Sequence, residues 1–310
     1  MFRRLLVGLL IVVLAAIALP PLWFAIFPHP APELPPAGRL VEVAPGVHVN
    51  VLEEGSGQPV VLVHGHPATA YDWEPLMHEL AVRGRLATAY DRVGYGRSDG
   101  RRDGNYTVAA NADELLGLLA AEQLEHVVLV GWSYGGGTAI AAAHKDPSRI
   151  DRLVLIGSVG PGIEHRHAPP AWVEAFMRGP GLSWLASVPP VGRRFQAMMT
   201  GLAFSPEPIS PGYLDQLAAN FAMPHTLQTY RSEGGDLGST ADIDPAPINR
   251  PILVVHGEDD HLVPTDVGRA LHERAPQSQL WLIPHAGHML PLTRPGQLAD
   301  HIVAFADGRD

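Results

Sequence analysis

The sequence predicts an α/β fold: a mostly parallel, eight-stranded sheet flanked by helices, interrupted once by a helical insertion and preceded by an N-terminal transmembrane helix. Three observations predict it. Short apolar runs of strand length alternate with helix-like stretches, and each run is nearly continuous, the pattern of strands covered on both faces. The alternation stops from Gly160 to about Pro247 and then resumes. The chain opens with an uncharged apolar run of 23 residues, Leu5 to Phe27, long enough to span a bilayer with some tilt.

Taken in order, Arg3 and Arg4 stand before the apolar run and hold the N-terminus on the cytoplasmic side. A cleaved signal peptide, with Ala16 and Ala18 as its small-residue site, is the competing reading. Residues 28–38 carry five prolines and form a stiff, extended linker. Strands follow at Leu40–Val43, Val47–Leu52 and Pro59–Val63, then an amphipathic helix at Asp72–Arg83 and a strand at Leu86–Tyr90. Thr107 caps a helix that runs to about Glu122. His126–Val130 and Leu153–Ile156 are the next two strands. The segment 160–247 is a helical cap or lid, with helical pieces at Pro170–Arg178, Val191–Thr200 and Gly212–Ala222; a break this long inside an α/β pattern is usually functional. Strand Pro251–Val255, helix Thr265–Arg274, strand Gln279–Ile283 and helix Pro295–Ala306 complete the chain. The core is thus 39–159 and 248–310.

The composition bounds the function. With 310 residues, 46% of them hydrophobic, a large core is available. A formal net charge of −10 argues against a nucleic-acid partner. The absence of cysteine excludes disulfides, thiolate metal sites and a cysteine nucleophile. The 16 histidines are scattered, with no metal-ligand spacing, so neither metal nor cofactor is expected.

One stretch carries chemistry by itself. Gly131-Trp132-Ser133-Tyr134-Gly135 sits between an apolar strand and a good helix former. A serine at such a turn, with glycine two positions before and two after, is a nucleophile elbow: only small residues let strand and helix approach this closely, and the hydroxyl stands clear of the sheet. The helix N-terminus behind it favours negative charge. A serine needs an adjacent base and an acid that orients it. His285 and His288 compete for the base, and Asp259 and Asp260 for the acid.

Four ordered signals together resemble the α/β-hydrolase superfamily: His64-Gly65-His66-Pro67, Asp91 to Ser98, the Ser133 elbow, and the Asp260…His288 pair, in the order nucleophile, acid, base. The resemblance spans roughly Leu40 to Asp307 and implies the α/β-hydrolase fold with its helical cap. It implies Ser133 as nucleophile, His288 as base and Asp260 as acid, with backbone N–H groups of Tyr134 and His66 forming the oxyanion hole. His64 and Asp91 read as structural hydrogen-bonders of their own loops.

A serine at the elbow departs from the superfamily's aspartate-based dehalogenases and epoxide hydrolases. The expected activity is hydrolysis of carboxylic esters, carboxylesterase- or lipase-like, through an acyl-enzyme, on a small hydrophobic substrate. The alternatives are a carbon–carbon bond hydrolase of vinylogous diketones and a catalytically idle binding protein on the same fold. The expected location is membrane-anchored, with the main domain on the periplasmic or extracellular side.

Overall fold

A computed structural model of the chain describes residues 33–163 and 189–309, together with Gly8, Ala15, Leu19 and Leu22. Eight strands form one sheet: β1 (Arg39–Ala44), β2 (Val47–Gly55), β3 (Gln58–Val63), β4 (Arg85–Tyr90), β5 (Val127–Trp132), β6 (Ile150–Ile156), β7 (Ile252–Gly257) and β8 (Ser278–Ile283). Their spatial order is β1-β2-β4-β3-β5-β6-β7-β8. The pairs β1–β2 and β2–β4 are antiparallel and the rest parallel. The described helices are α1 (Glu74–Val82), α2 (Val108–Ala121), α3 (Tyr134–Lys145), α4 (Pro189–Phe204), α5 (Tyr213–Phe221), α6 (Thr226–Asp236), α7 (Thr265–Arg274), α8 (Leu290–Thr293) and α9 (Pro295–Ala306).

The continuous apolar runs have a simple cause: both faces of the sheet are buried. Val61, Leu129, Leu153 and Val254 point to one side and pack on Leu115 of α2, Ile140 of α3 and Leu271 of α7. Their neighbours Val60, Leu62, Val128 and Val130 point to the other side and meet Leu76 and Leu80 of α1 and Leu298 and Ile302 of α9. Strand β3 lies between β4 and β5, so the chain turns one way after β3 and the other way after β5. That reversal opens a crevice at the carboxyl ends of those strands. Residues 64–66 and Ser133 both emerge there.

The helix capped by Thr107 forms as expected, with the Thr107 hydroxyl accepting from the Ala110 N–H. The expected helix Asp72–Arg83 is divided into a 3-10 turn, Ala70–Trp73, and α1, because Pro75 favours the first turn of a new helix. Helix α6 has no counterpart among the expected elements: its polar sequence ends in Gly234-Gly235-Asp236 and offers no apolar stripe to read. The expected piece at Pro170–Arg178 lies outside the described residues.

One expectation is corrected. The run from Leu5 to Phe27, read as a membrane anchor, lies almost wholly outside the described residues. Among the described residues no helix is long and apolar enough to cross a membrane; the longest, α4, has 16 residues, short of the roughly 20 a bilayer core requires. The anchored location on the far side of a membrane is therefore withdrawn.

Candidate active site

Ser133 occupies the sharp turn from β5 to α3 with φ 56° and ψ −122°. A non-glycine residue there is strained by about 1–3 kcal/mol. Three backbone bonds offset the strain: the Ser133 N–H donates to Ile156 O at 2.9 Å, and its carbonyl accepts from Gly136 at 2.9 Å and Val159 at 3.1 Å. The flanking glycines are required by space. A Cβ on Gly131 would lie 2.5 Å from Gly135 O, and one on Gly135 would lie 2.1 Å from Val63 O.

On one side of Ser133 the structure brings Asp260 and His288 together. His288, on the loop after β8, donates its Nδ1–H to Asp260 Oδ2 at 2.7 Å. An ionised carboxylate only accepts, so this contact fixes the tautomer and leaves Nε2 as the basic nitrogen. The other Asp260 oxygen accepts from the Leu262 and Val263 N–H groups, each at 2.9 Å. Burial by itself would raise the Asp260 carboxyl, but the His288 imidazole and the hydrogen bonds from His256 and His288 hold it well below the usual carboxylate range. Gly157, at φ 48°, leaves room for the pair: a Cβ there would lie 3.2 Å from His288 Nδ1 and 3.3 Å from Asp260 Oδ2. The rival residues Asp259 and His285 face each other 3.9 Å apart at the surface, their side chains 45% and 93% exposed.

The His288 loop is held from three directions. Trp132 Nε1–H donates to His288 O at 3.0 Å. The His288 N–H donates to Ala203 O at 3.1 Å. The Gly287 N–H donates to Glu207 at 3.2 Å, and Glu207 is paired with Arg294 at 2.8 Å. Ala203 and Glu207 both belong to the segment between β6 and β7.

On the other side lie His66 and Tyr134. The loop after β3 passes close to Ser133: a Cβ on Gly65 would lie 2.9 Å from Ser133 Cβ and 3.5 Å from Ser133 Oγ. Tyr134 is the first residue of α3, so its N–H has no intrahelical acceptor. The ring of His66 is bound by residues to which the sequence pattern assigns no role. Its Nδ1 lies 2.9 Å from Glu233 Oε2 and 3.0 Å from the Tyr95 hydroxyl, while that hydroxyl donates to the same Glu233 oxygen at 2.7 Å. The ring stacks on Tyr230 with centroids 4.5 Å apart.

Glu233 and Arg92 form a bidentate ion pair with both side chains fully buried. Arg92 also donates to the carbonyls of His64 and Gly65, each at 3.0 Å, and to Asn111 Oδ1 at 3.1 Å. Its guanidinium lies 5.1 Å from the ring centroids of Tyr95 and Tyr134. Burial works against the Glu233 charge, but Arg92 and His66 bring its carboxyl down to about 2. Burial and Arg92 push the His64 imidazole well below its usual value. The neutral ring donates from Nδ1 to Gly65 O at 2.8 Å and accepts the Arg92 N–H at Nε2 at 2.9 Å. His64 is thus a structural element of its loop. So is Asp91, whose carboxylate accepts from Ala70, Asn50 and Arg97. Among the described residues, no group of three or more His, Asp or Glu side chains is disposed to hold a metal ion.

Residues 58–295 match the family model described as the alpha/beta hydrolase fold. The chain is 30% identical to the 2-hydroxy-6-oxo-2,4-heptadienoate hydrolase of Pseudomonas putida, covering 82% of this chain and 91% of the relative. It is also 30% identical to the 2-hydroxymuconate semialdehyde hydrolase of a Pseudomonas strain, over 90% of this chain and 95% of that one. Among solved structures it is similar to a thermophilic esterase from Thermogutta terrifontis, with 25% identity, a TM-score of 0.70, and coverage of 88% and 99% of the two chains.

Proposed function

The chain belongs to the alpha/beta hydrolase fold family, and on that footing we propose that it hydrolyses a carbon–carbon bond beside a ketone in a vinylogous diketone of the 2-hydroxy-6-oxo-dienoate class. Relatives named for this chemistry match most of the chain at 30% identity, and that observation carries the reading. In this reading Ser133 attacks the ketone, His288 takes its proton, and Asp260 orients His288 and stabilises the imidazolium. The N–H groups of Tyr134 and His66 receive the developing oxyanion. The proton held by His288 passes to the departing carbon fragment, and water then releases the acyl group from Ser133.

Hydrolysis of carboxylic esters uses the same groups and is the second reading. The similarity to the Thermogutta terrifontis esterase favours it. The discriminating experiment compares kcat/KM of the full chain on 2-hydroxy-6-oxohepta-2,4-dienoate and on p-nitrophenyl esters of graded acyl length, with Ser133→Ala in parallel. The expected result is higher kcat/KM on the dienoate, and a loss of at least about 10³-fold in the alanine variant. Turnover of esters with no cleavage of the dienoate would replace the proposal by the ester reading. Absence of turnover on both, with no labelling of Ser133 by a fluorophosphonate, would leave the idle binding protein.

A further inference from the structure

Two carboxylate–histidine pairs flank Ser133. Asp260–His288 serves the nucleophile. Glu233–His66 is likewise joined through Nδ1, at 2.9 Å to the carboxylate oxygen against 2.7 Å in the first pair, and a backbone oxyanion donor needs no such pair. The hydrogen-bond pattern fixes its protons. The single Tyr95 hydroxyl proton goes to Glu233, and Glu233 beside Arg92 is ionised. Both oxygens facing His66 Nδ1 therefore offer only lone pairs, so Nδ1 carries a proton, and in the neutral ring Nε2 is the acceptor. Stacking on Tyr230 fixes the plane of the ring, and Nε2 lies on the edge turned away from Glu233. Glu233 and Arg92 are fully buried, whereas the His66 side chain keeps 12% exposure, and its neighbour Gly65 abuts Ser133. An oriented, partly accessible histidine thus stands next to the residue that abuts Ser133, and ester hydrolysis gives its side chain no task.

Carbon–carbon cleavage does. In a 2-hydroxy-6-oxo-2,4-dienoate the bond to be cut joins C5 to the C6 ketone, and C5 is an unsaturated carbon whose departing electron pair has no acceptor. Moving the 2-hydroxyl proton to C5 changes this. The O–H electron pair forms the C2 carbonyl, the 2,4-diene becomes a 3-ene, and C5 becomes a CH2; no atom is gained or lost. When C5–C6 then breaks, its electron pair flows through the 3-ene to the C2 oxygen.

We infer that His66, oriented by Glu233, is the catalytic group that carries this proton: Nε2 takes it from the 2-hydroxyl and returns it to C5. Glu233 is a positioning residue, acting through His66. The inference rests on the carbon–carbon reading above. The titratable or charged groups around His66 are Glu233, Arg92, Tyr95, Tyr134, Tyr230 and His64.

The test uses the Ser133→Ala background, in which cleavage is blocked but the proton shift is not. The full chain carrying Ser133→Ala should speed the loss of the dienol absorbance of 2-hydroxy-6-oxohepta-2,4-dienoate and incorporate deuterium at C5 in D2O. Adding His66→Phe, which keeps the backbone N–H and leaves the Arg92–Glu233 pair intact, should slow both by about 10²-fold or more. With Ser133 restored, His66→Phe and Glu233→Gln should lower kcat on the dienoate at least tenfold more than kcat on p-nitrophenyl acetate, in protein whose thermal unfolding shows it folded. Equal losses on both substrates, or an unchanged proton-shift rate, overturn the inference while the carbon–carbon reading stands. Failure of wild type to cleave the dienoate overturns both.

Discussion

The two flanks of Ser133 solve one problem in different ways. On the base flank, Asp260 and His288 come from consecutive loops at the ends of β7 and β8, 28 residues apart. Backbone N–H groups and the two histidines satisfy the Asp260 charge, and among the described residues no lysine or arginine pairs with it. On the oxyanion flank, His66 and Glu233 are 167 residues apart and Arg92 and Glu233 are 141 apart. There the charge is matched by a buried guanidinium. In the proposed reaction the counter-charge on the base flank is the imidazolium that forms on His288. The oxyanion flank is neutralised in advance and fixed in place. Both flanks touch the inserted segment, the first through backbone bonds of the His288 loop to Ala203 and Glu207, but only in the second does the carboxylate of the pair itself come from that segment, because Glu233 lies on α6.

The contrast can be broken first at Asp260. Asp260→Asn removes the acceptor that fixes the His288 tautomer, so kcat should fall about 10⁴-fold on any substrate the enzyme accepts, with the fold intact. A loss confined to the dienoate would mean that the two flanks do not divide the chemistry in this way.

Next is the ion pair. Arg92→Met leaves Glu233 buried without its cation and should cost about 3–5 kcal/mol in denaturant unfolding. The sign of its pH dependence follows from Glu233. Its carboxyl is lowered from 4.5 to about 2 in the folded protein. The stabilisation is therefore complete above about pH 4.5 and is lost as the pH falls towards 2. Because that lowering depends on Arg92, the gap between wild type and Arg92→Met should narrow over the same interval. A gap that stays constant with pH would show that Arg92 stabilises the chain by packing rather than charge.

The smallest effect is expected at the rival acid. The Asp259 side chain is 45% exposed and its ion-pair partner among the described residues is the exposed His285, so Asp259→Asn should change kcat less than about twofold and stability by less than about 0.5 kcal/mol. A large loss would move the acid by one residue and undo the base flank as drawn.

Much of this architecture is legible in the order of the residues alone. The strands are visible because burial on both faces requires unbroken apolar runs, as in Val60–Val63 and Val127–Val130. The elbow is visible because only glycine fits at 131 and 135. Asp260 and His288 are within reach because each lies on a short loop after a recognisable strand. The second flank is not legible in this way. Arg92 stands in a glycine-rich loop, and nothing local shows that its side chain turns inward. Glu233 sits on a polar helix without an apolar stripe, and a glutamate among Ser232, Gly234 and Gly235 reads as solvent-facing.

The sequence by itself determined the sheet, the order of its elements along the chain and the strand-to-helix turn at Ser133, because these rest on patterns among neighbouring residues. Only the tertiary structure decided that Glu233 enters the core, that Arg92 meets it there, and that His66 bonds to it beside the loop that abuts Ser133. A buried charge is tolerated only where a partner waits, and that partner is set by the folded path of the chain rather than by its neighbours in sequence.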